Sequence, residues 1–315
     1  MTVDRPDPAD DPDEPGHRPP PDGPRPPDDA AWLPLDPASL DAVHRVSRAR
    51  IEQAYAAHRD SARDSAADDA DRGPWAEALP SLRAAWEEHE NRYPERERAA
   101  PVTHMDGSWS SGEIRRLTPA QNAEATKACA DIQDEGERVM LPALLQIEAA
   151  DPNRRLAGLE HMLKGEDRLK EKIADALRAR PELTVTQALS IVPDPVRFTY
   201  KYEPDRYADG VLADVQRLKS IGLEEVKLKN LWPDEQYKGI NSQWRRPETG
   251  LRIEVQFHTS ASLEAKELTH KAYERIRSPD TSPTERDELG AFQRRVNALL
   301  DTPPGTTEIP DFPEK

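Results

Sequence analysis

The alternation of apolar and polar positions is sharpest between residues 251 and 258. Leu251, Ile253, Val255 and Phe257 alternate with Arg252, Glu254, Gln256 and His258. Successive side chains of a strand point to opposite faces, so this stretch is expected as a strand with one face on a core. Its other face presents a cation, a carboxylate, an amide and an imidazole in one row. Val196 to Tyr202 also alternates and is β-branched and aromatic, which predicts a strand. Glu225 to Lys229 predicts another, with Lys227 and Lys229 on one face. A strand on each side of a turn at Pro247-Glu-Thr-Gly250 completes the set.

Helical spacing dominates elsewhere. Leu40, Val43, Val46, Ile51 and Tyr55 recur at that period behind Ser39 as N-cap. Trp75, Leu79, Leu82 and Trp86 predict a helix ending near Tyr93-Pro94, and residues 94–116 read as loop. Thr118-Pro119 opens the next helix, which runs past Cys129 and continues through Met140 to Ile147, with Pro142 as an interruption. Leu156, Leu159, Met162 and Leu163 form a further amphipathic stretch. A helix then follows Lys164 to about Arg180, and Thr184 with Gln187 reads as a capping box. Tyr207, Val211, Val215 and Leu218 predict a helix ending at Gly222, and another spans Ser262 to Ile276.

The strand–helix–strand–strand–strand order predicts an α+β fold: a mixed sheet of about five strands flanked by helices. The organisation expected is a disordered Pro/Asp-rich tail over 1–38, a helical region over 39–150, a domain carrying the sheet over 151–300, and a disordered tail over 301–315. Few apolar groups in 1–38 offset chain entropy, and Arg18-Pro-Pro-Pro21 gives it polyproline character. A solvating role suits this tail better than protein interaction, and the N-terminal region is where a protein partner, if there is one, would bind.

Composition narrows the function classes. Of 315 residues, 33% are charged and 36% hydrophobic, a balance low in apolar content for a chain ordered throughout. No apolar run approaches the roughly 20 residues of a membrane span, and Met-Thr-Val-Asp-Arg-Pro lacks a signal-peptide core, so a cytoplasmic protein without membrane contact is expected. Cys129 is alone and has no internal disulfide partner; buried packing suits it better than a nucleophile's role. Net charge is −16, yet residues 152–277 hold 23 Lys+Arg against 20 Asp+Glu. The acidic excess lies outside the strand-rich segment, which leaves room there for an anionic ligand while disfavouring non-specific nucleic-acid binding.

Two carboxylates carry the candidate chemistry. Asp194 stands at the entry to the first strand and Glu254 on the polar face of a later one. Carboxylates from neighbouring strands suit one Mg2+, which takes oxygen ligands and keeps phosphate oxygens and waters as its other partners. Lys164, Lys172, Arg197, Lys227, Lys229 and Arg252 flank the same sheet. A metal with many cations nearby suits polyphosphate chemistry. Lys266, His270 and Tyr273 share one face of the last helix, where packing and ligand contact are equally good readings.

The run Tyr237-Lys-Gly-Ile-Asn241, Glu254-Val-Gln-Phe-His-Thr259, His270-Lys-Ala-Tyr273 resembles the synthetase domain of the RelA/SpoT-type alarmone synthetases. Lys164 with Lys172, and Asp194 with Arg197, extend the resemblance over roughly residues 155–277. It implies a nucleotidyltransferase-like sheet and an ATP-dependent pyrophosphokinase that moves diphosphate to the 3′-hydroxyl of GDP or GTP. It further implies that Asp194 and Glu254 bind Mg2+, with Glu254 near the attacking hydroxyl. Lys164 and Lys172 would hold ATP phosphates, and Arg197 would clamp the ATP. Tyr237 would stack under the acceptor base, and Gln256 would hydrogen-bond in the acceptor site. His258, Lys227 and Lys229 complete the expected groove.

The chain departs from the family pattern at Gly239 and Asn241, where Ser and His are usual, at His258 in place of Arg, and at Arg168 in place of Ser. The Asp194-to-Arg197 spacing is also short. These departures fit a divergent branch such as the toxin-like small synthetases, so two alternatives stay open: transfer to an adenine nucleotide or the tRNA 3′-end, and a catalytically silent nucleotide-binding or interaction module.

Overall fold

The computed structural model describes residues 73–94 and 99–313. The expected tail over 1–38 and the helix expected from Ser39 lie outside these residues. Helix α1 spans Pro74–Arg92 and buries Trp75, Leu82 and Trp86, matching the periodicity. Residues 94–116, read as loop, instead contain most of a three-stranded antiparallel sheet: β1 (Val102–Thr103), β2 (Trp109–Ser111) and β3 (Arg115–Leu117). Two or three residues are too few for alternation to show. Trp109 anchors this sheet, buried with Leu117 against Ile173 and Leu177, and its indole N–H donates to Asp167 at 2.9 Å.

Helix α2 (Pro119–Glu135) starts with the Thr118–Gln121 capping box. A π-helical turn at Gly136–Met140 joins it to α3 (Leu141–Ala149), so Pro142 falls in the first turn of a new segment, where a missing N–H is harmless. The amphipathic stretch around Leu156 resolves into β4 (Arg154–Ala157) and a 3-10 turn at Leu159–His161. Helices α4 (Glu166–Ala179) and α5 (Val185–Ser190) follow, the second with the expected Thr184–Gln187 box.

Strand β5 (Val196–Tyr202) leads into α6 (Tyr207–Ser220), then β6 (Glu224–Asn230), β7 (Ile240–Arg245), β8 (Arg252–Thr259), α7 (Ser260–Arg277) and α8 (Pro283–Asn297). The fold is thus the α+β arrangement expected. The five-stranded sheet has the order β4-β5-β8-β7-β6, with β5 and β8 parallel and the other pairs antiparallel.

The sheet's two faces differ as the alternation requires. Phe198, Tyr200, Val255, Phe257, Ile240 and Trp244 face the core beneath α3 and α6. The Tyr200 hydroxyl donates to the Leu144 carbonyl at 2.7 Å, and Tyr207 to that of Phe257 at 2.7 Å. A charged group lies within this core. Asp214, fully buried, meets the buried Arg154 at 3.0 Å, and accepts from Tyr202 at 2.6 Å and Arg217 at 2.7 Å. Helix α7 crosses the opposite, polar face. It is backed by α1 and α8 through Trp75, Leu82, Ala265 and Val296, and through Trp86, Ala272 and Leu289.

The segment 302–313, expected as a disordered tail, packs along β6. Phe312 exchanges two main-chain hydrogen bonds with Leu228, and Asn230 donates to the Thr306 carbonyl at 2.7 Å. Thr306 and Ile309 are buried. Its prolines suit a path that needs few ladder hydrogen bonds. No helix among the described residues is long and apolar enough to cross a membrane.

Candidate active site on the polar face of the sheet

Register assembles the site. Arg197 of β5 is the pairing partner of Glu254 of β8, Glu254 of Gln243 on β7, and Gln243 of Lys227 on β6. Residues paired across strands share a face, so these four form one row. Thr199, Gln256, Asn241 and Lys229 form the next. Lys227 and Lys229 are exposed at the sheet edge, two strands from β8 and therefore about 10 Å away. They share the face of the site without contacting its carboxylates.

Asp194 precedes β5 in the Pro193-Asp194-Pro195 turn. Two main-chain hydrogen bonds lay residues 162–164 beside the head of that strand, from Arg197 N to the Met162 carbonyl at 2.8 Å and from Lys164 N to that of Pro195 at 3.1 Å. This pairing brings Lys164 to Asp194. Nζ donates to Oδ2 at 2.6 Å. Arg197 then joins the two acids: Nη2 donates to Asp194 Oδ2 at 2.8 Å and Nε to Glu254 Oε2 at 2.5 Å. Asp194 and Glu254, far apart in sequence, thus meet across one guanidinium. Their side chains are 16% and 13% exposed, so the pair is sheltered yet reachable from solvent.

Burial pushes the Lys164 ammonium down despite the pull of Asp194, and Arg197 and exposed Lys172 add like charge. Burial also works against the Arg197 guanidinium, but Glu254 and Asp194 outweigh it and hold its pKa up. Among the described residues no group of three or more acidic, His or Cys side chains forms a ready-made metal cage. A two-carboxylate site fits Mg2+ all the same, because that ion is bound by one or two carboxylates together with substrate phosphates. Both acids already converge on a single positive group, so the donor set suits a cation.

The second half of the site is a neutral relay. The Tyr237 hydroxyl lies 2.8 Å from Asn241 Oδ1 and 2.9 Å from His258 Nε2. His258 Nδ1 lies 2.9 Å from Ser262 Oγ at the start of α7. When Tyr237 donates to Asn241, the imidazole donates from Nε2 to the phenol oxygen and accepts from Ser262. Burial drives the His258 pKa well down, with Lys266 adding to it, so the ring is neutral. Burial, then Glu254, pushes the Tyr237 phenol up.

His258, expected to line the substrate groove, is 0% exposed and faces protein on all sides. The reason is the adjacent glycine. Gly239 has φ +150°, and a Cβ there would approach His258 Cε1 to 2.6 Å. The imidazole fills the space that a side chain at 239 would need, so glycine at 239 and the buried ring at 258 depend on each other. Gln256 is buried too, and accepts from Lys266 Nζ at 2.8 Å.

Lys266 is the site residue that the strand pattern does not reveal. Its only sequence signal is its position four residues before His270 on one helical face. Burial, with Arg197 adding like charge, pushes its ammonium down to about 8. Cys129 is buried and burial raises its thiol to about 11, which fits packing rather than nucleophilic attack.

No protein-family model and no curated protein matches the chain. Among solved structures it is similar to a GTP pyrophosphokinase family protein from Streptococcus pneumoniae, with 14% identity over 58% of this chain and 90% of that one at a TM-score of 0.39. Small alarmone synthetase 1 from Bacillus subtilis, bound to its product pppGpp, shares 9% identity over 56% and 90% of the two chains at 0.37. Small alarmone synthetase 2 from Bacillus subtilis shares 14% over 55% and 92% at 0.38. In structure the chain is similar, at low identity, to small alarmone synthetases and GTP pyrophosphokinase family proteins.

Proposed function

We propose that the chain is an ATP-dependent pyrophosphokinase that transfers diphosphate to the 3′-hydroxyl of GDP or GTP. The observation that carries this reading is the meeting of Asp194 and Glu254 across Arg197, with Lys164 on the same carboxylate. In the reaction the acceptor oxygen attacks the β-phosphorus of ATP, the bond from that phosphorus to the α-phosphate oxygen breaks, and AMP leaves. Glu254 takes the hydroxyl proton. Lys164 and Arg197 hold the phosphate oxygens whose charge spreads during transfer, and Lys172 supplies a further positive charge at the mouth. Mg2+ held by Asp194 and Glu254 would supply charge neutralisation and alignment of the diphosphate. Tyr237, kept by its relay at a fixed position, and Gln256 orient the acceptor. The domain assigned to this activity is 151–300, and the setting is cytoplasmic.

The departures at Gly239 and His258 fall in the acceptor half, whereas Lys164, Asp194, Arg197 and Glu254 are all present in the donor half. Incubation with γ-labelled ATP, Mg2+ and, in turn, GDP, GTP, ADP, ATP or tRNA tests the assignment. Label in a guanine nucleotide is expected. Label in an adenine nucleotide or the tRNA 3′-end would keep the chemistry and move the acceptor towards a toxin-like activity. No labelled product with any acceptor would leave a silent binding module.

A further inference from the structure

Lys266 presents a cation without a counterion at the centre of the polar face. Its Nζ donates to the neutral amide oxygen of Gln256, and among the described residues no carboxylate reaches it at ion-pair distance. Glu254 and Glu267 act on it only through space, and Arg197 repels it. A sheltered charge is costly unless it is paired. An ammonium has three donors, so two remain after the bond to Gln256. Of the acids that act on this face, Asp194 is engaged by Lys164 and Arg197 and Glu254 by Arg197, while Glu267 reaches Lys266 only through space. The group that completes Lys266 is therefore an anion that arrives from outside.

We propose that Lys266 is a phosphate-binding residue, holding an oxygen of a nucleotide's phosphate chain on the same polar face as Lys164 and Arg197. This rests on the reading of the site as a nucleotide site. The bond to Gln256 puts Lys266 on the acceptor side, so the phosphate is that of the acceptor nucleotide. A phosphate of ATP offers the same chemistry, and the experiment separates the two. Lys266 does not take part in bond making; it positions the acceptor.

The test is calorimetric titration of the full chain, with Mg2+, by guanosine, GDP, α,β-methylene-ATP and inorganic pyrophosphate. It is run on the wild type, Lys266→Met and Lys266→Arg. The proposal expects Lys266→Met to weaken GDP binding by about 10-fold or more, as loss of a charged hydrogen bond does. Guanosine binding changes less than about 2-fold, because the lost partner is the phosphate, and Lys266→Arg keeps most of the affinity. A loss confined to the ATP analogue supports the phosphate contact and reassigns it to the donor. Wild-type affinities for all four ligands in Lys266→Met overturn the proposal while leaving the pyrophosphokinase reading intact. Pyrophosphate binding that depends on Lys266, without nucleotide binding by the wild type, overturns that reading and leaves the anion site. Should Lys266→Met not fold, reductive methylation of the wild type at pH 8 decides. Modification of Lys266 that GDP suppresses supports the contact; modification that no ligand suppresses overturns it.

Discussion

Arg197 and Glu254 are register partners on the two parallel strands at the centre of the sheet, and Nε of the first meets Oε2 of the second at 2.5 Å. The same guanidinium reaches Asp194. One side chain thus holds together two acids that would repel each other without it. This contact is made by backbone pairing, so it persists only while β5 and β8 keep their register.

A double-mutant cycle measures that contact. Arg197→Met and Glu254→Gln should each destabilise the fold, and together by less than their sum, with a coupling of about 1–3 kcal/mol. Urea unfolding gives the number. Additivity within about 0.5 kcal/mol would mean that solvent screens the pair and the guanidinium does not hold the acids.

Gly239 and His258 supply a steric prediction. Gly239→Ala sets a methyl group 2.6 Å from His258 Cε1, on a backbone with φ +150°. The variant should lose about 2–3 kcal/mol, from strain and overpacking together. In a His258→Ala background the clash with the ring is gone, while the backbone strain and a 3.1 Å approach to the Phe257 carbonyl remain, so thermal melting should show a smaller cost for Gly239→Ala there than in the wild type. No destabilisation by Gly239→Ala would mean that the imidazole yields easily, and the two positions would not be coupled.

The ammonium of Lys266 gives the fold a pH signature. It is pushed down to about 8 in the folded chain, against an ordinary lysine near 10.5. Between these values the unfolded chain binds more protons, so this residue makes stability rise with pH across that window. Its penalty is complete below about pH 8 and gone above about 10.5. Lys266→Met removes it. The stability advantage of that variant should shrink as denaturation is measured from pH 8 upwards, whereas a constant difference would show an ammonium titrating normally.

Asp214 sits on the opposite face and separates stability from activity. It pairs with Arg154 at 3.0 Å and accepts from Arg217 and Tyr202 within the core. Asp214→Ala leaves the buried Arg154 with Asp151, at 3.5 Å, as its remaining acidic partner, and breaking a buried pair costs about 3–5 kcal/mol. The urea midpoint should fall accordingly. A loss under about 1 kcal/mol would show that water replaces the carboxylate.

Much of this was legible in the residues. Strict alternation over 251–258 marked β8 because both its faces are committed, and Val196 to Tyr202 marked β5 for the same reason. The capping residues Thr118 and Thr184 marked two helix starts through local hydrogen bonding alone. The sheet of β1, β2 and β3 was not legible, since strands of two or three residues carry no period and depend on Trp109 packing against α4. The path of residues 302–313 was hidden because proline-rich composition looks alike in a free tail and in a segment fixed by distant partners such as Asn230. In the site, the strand residues could be placed on a face from alternation. The burial of His258 could not, because α7 and Gly239 create it. Lys266 belongs to a helix whose amphipathic pattern gave its face but not what the face covers.

The chemistry of Glu254 is open to a single comparison. Wild type and Glu254→Gln are incubated with γ-labelled ATP, Mg2+ and GDP, and labelled product is counted while circular dichroism follows the fold. The wild type should yield labelled guanine nucleotide, and the variant at least about 100-fold less while it remains folded under the assay conditions, as loss of a general base implies. Equal turnover by the two proteins would contradict it.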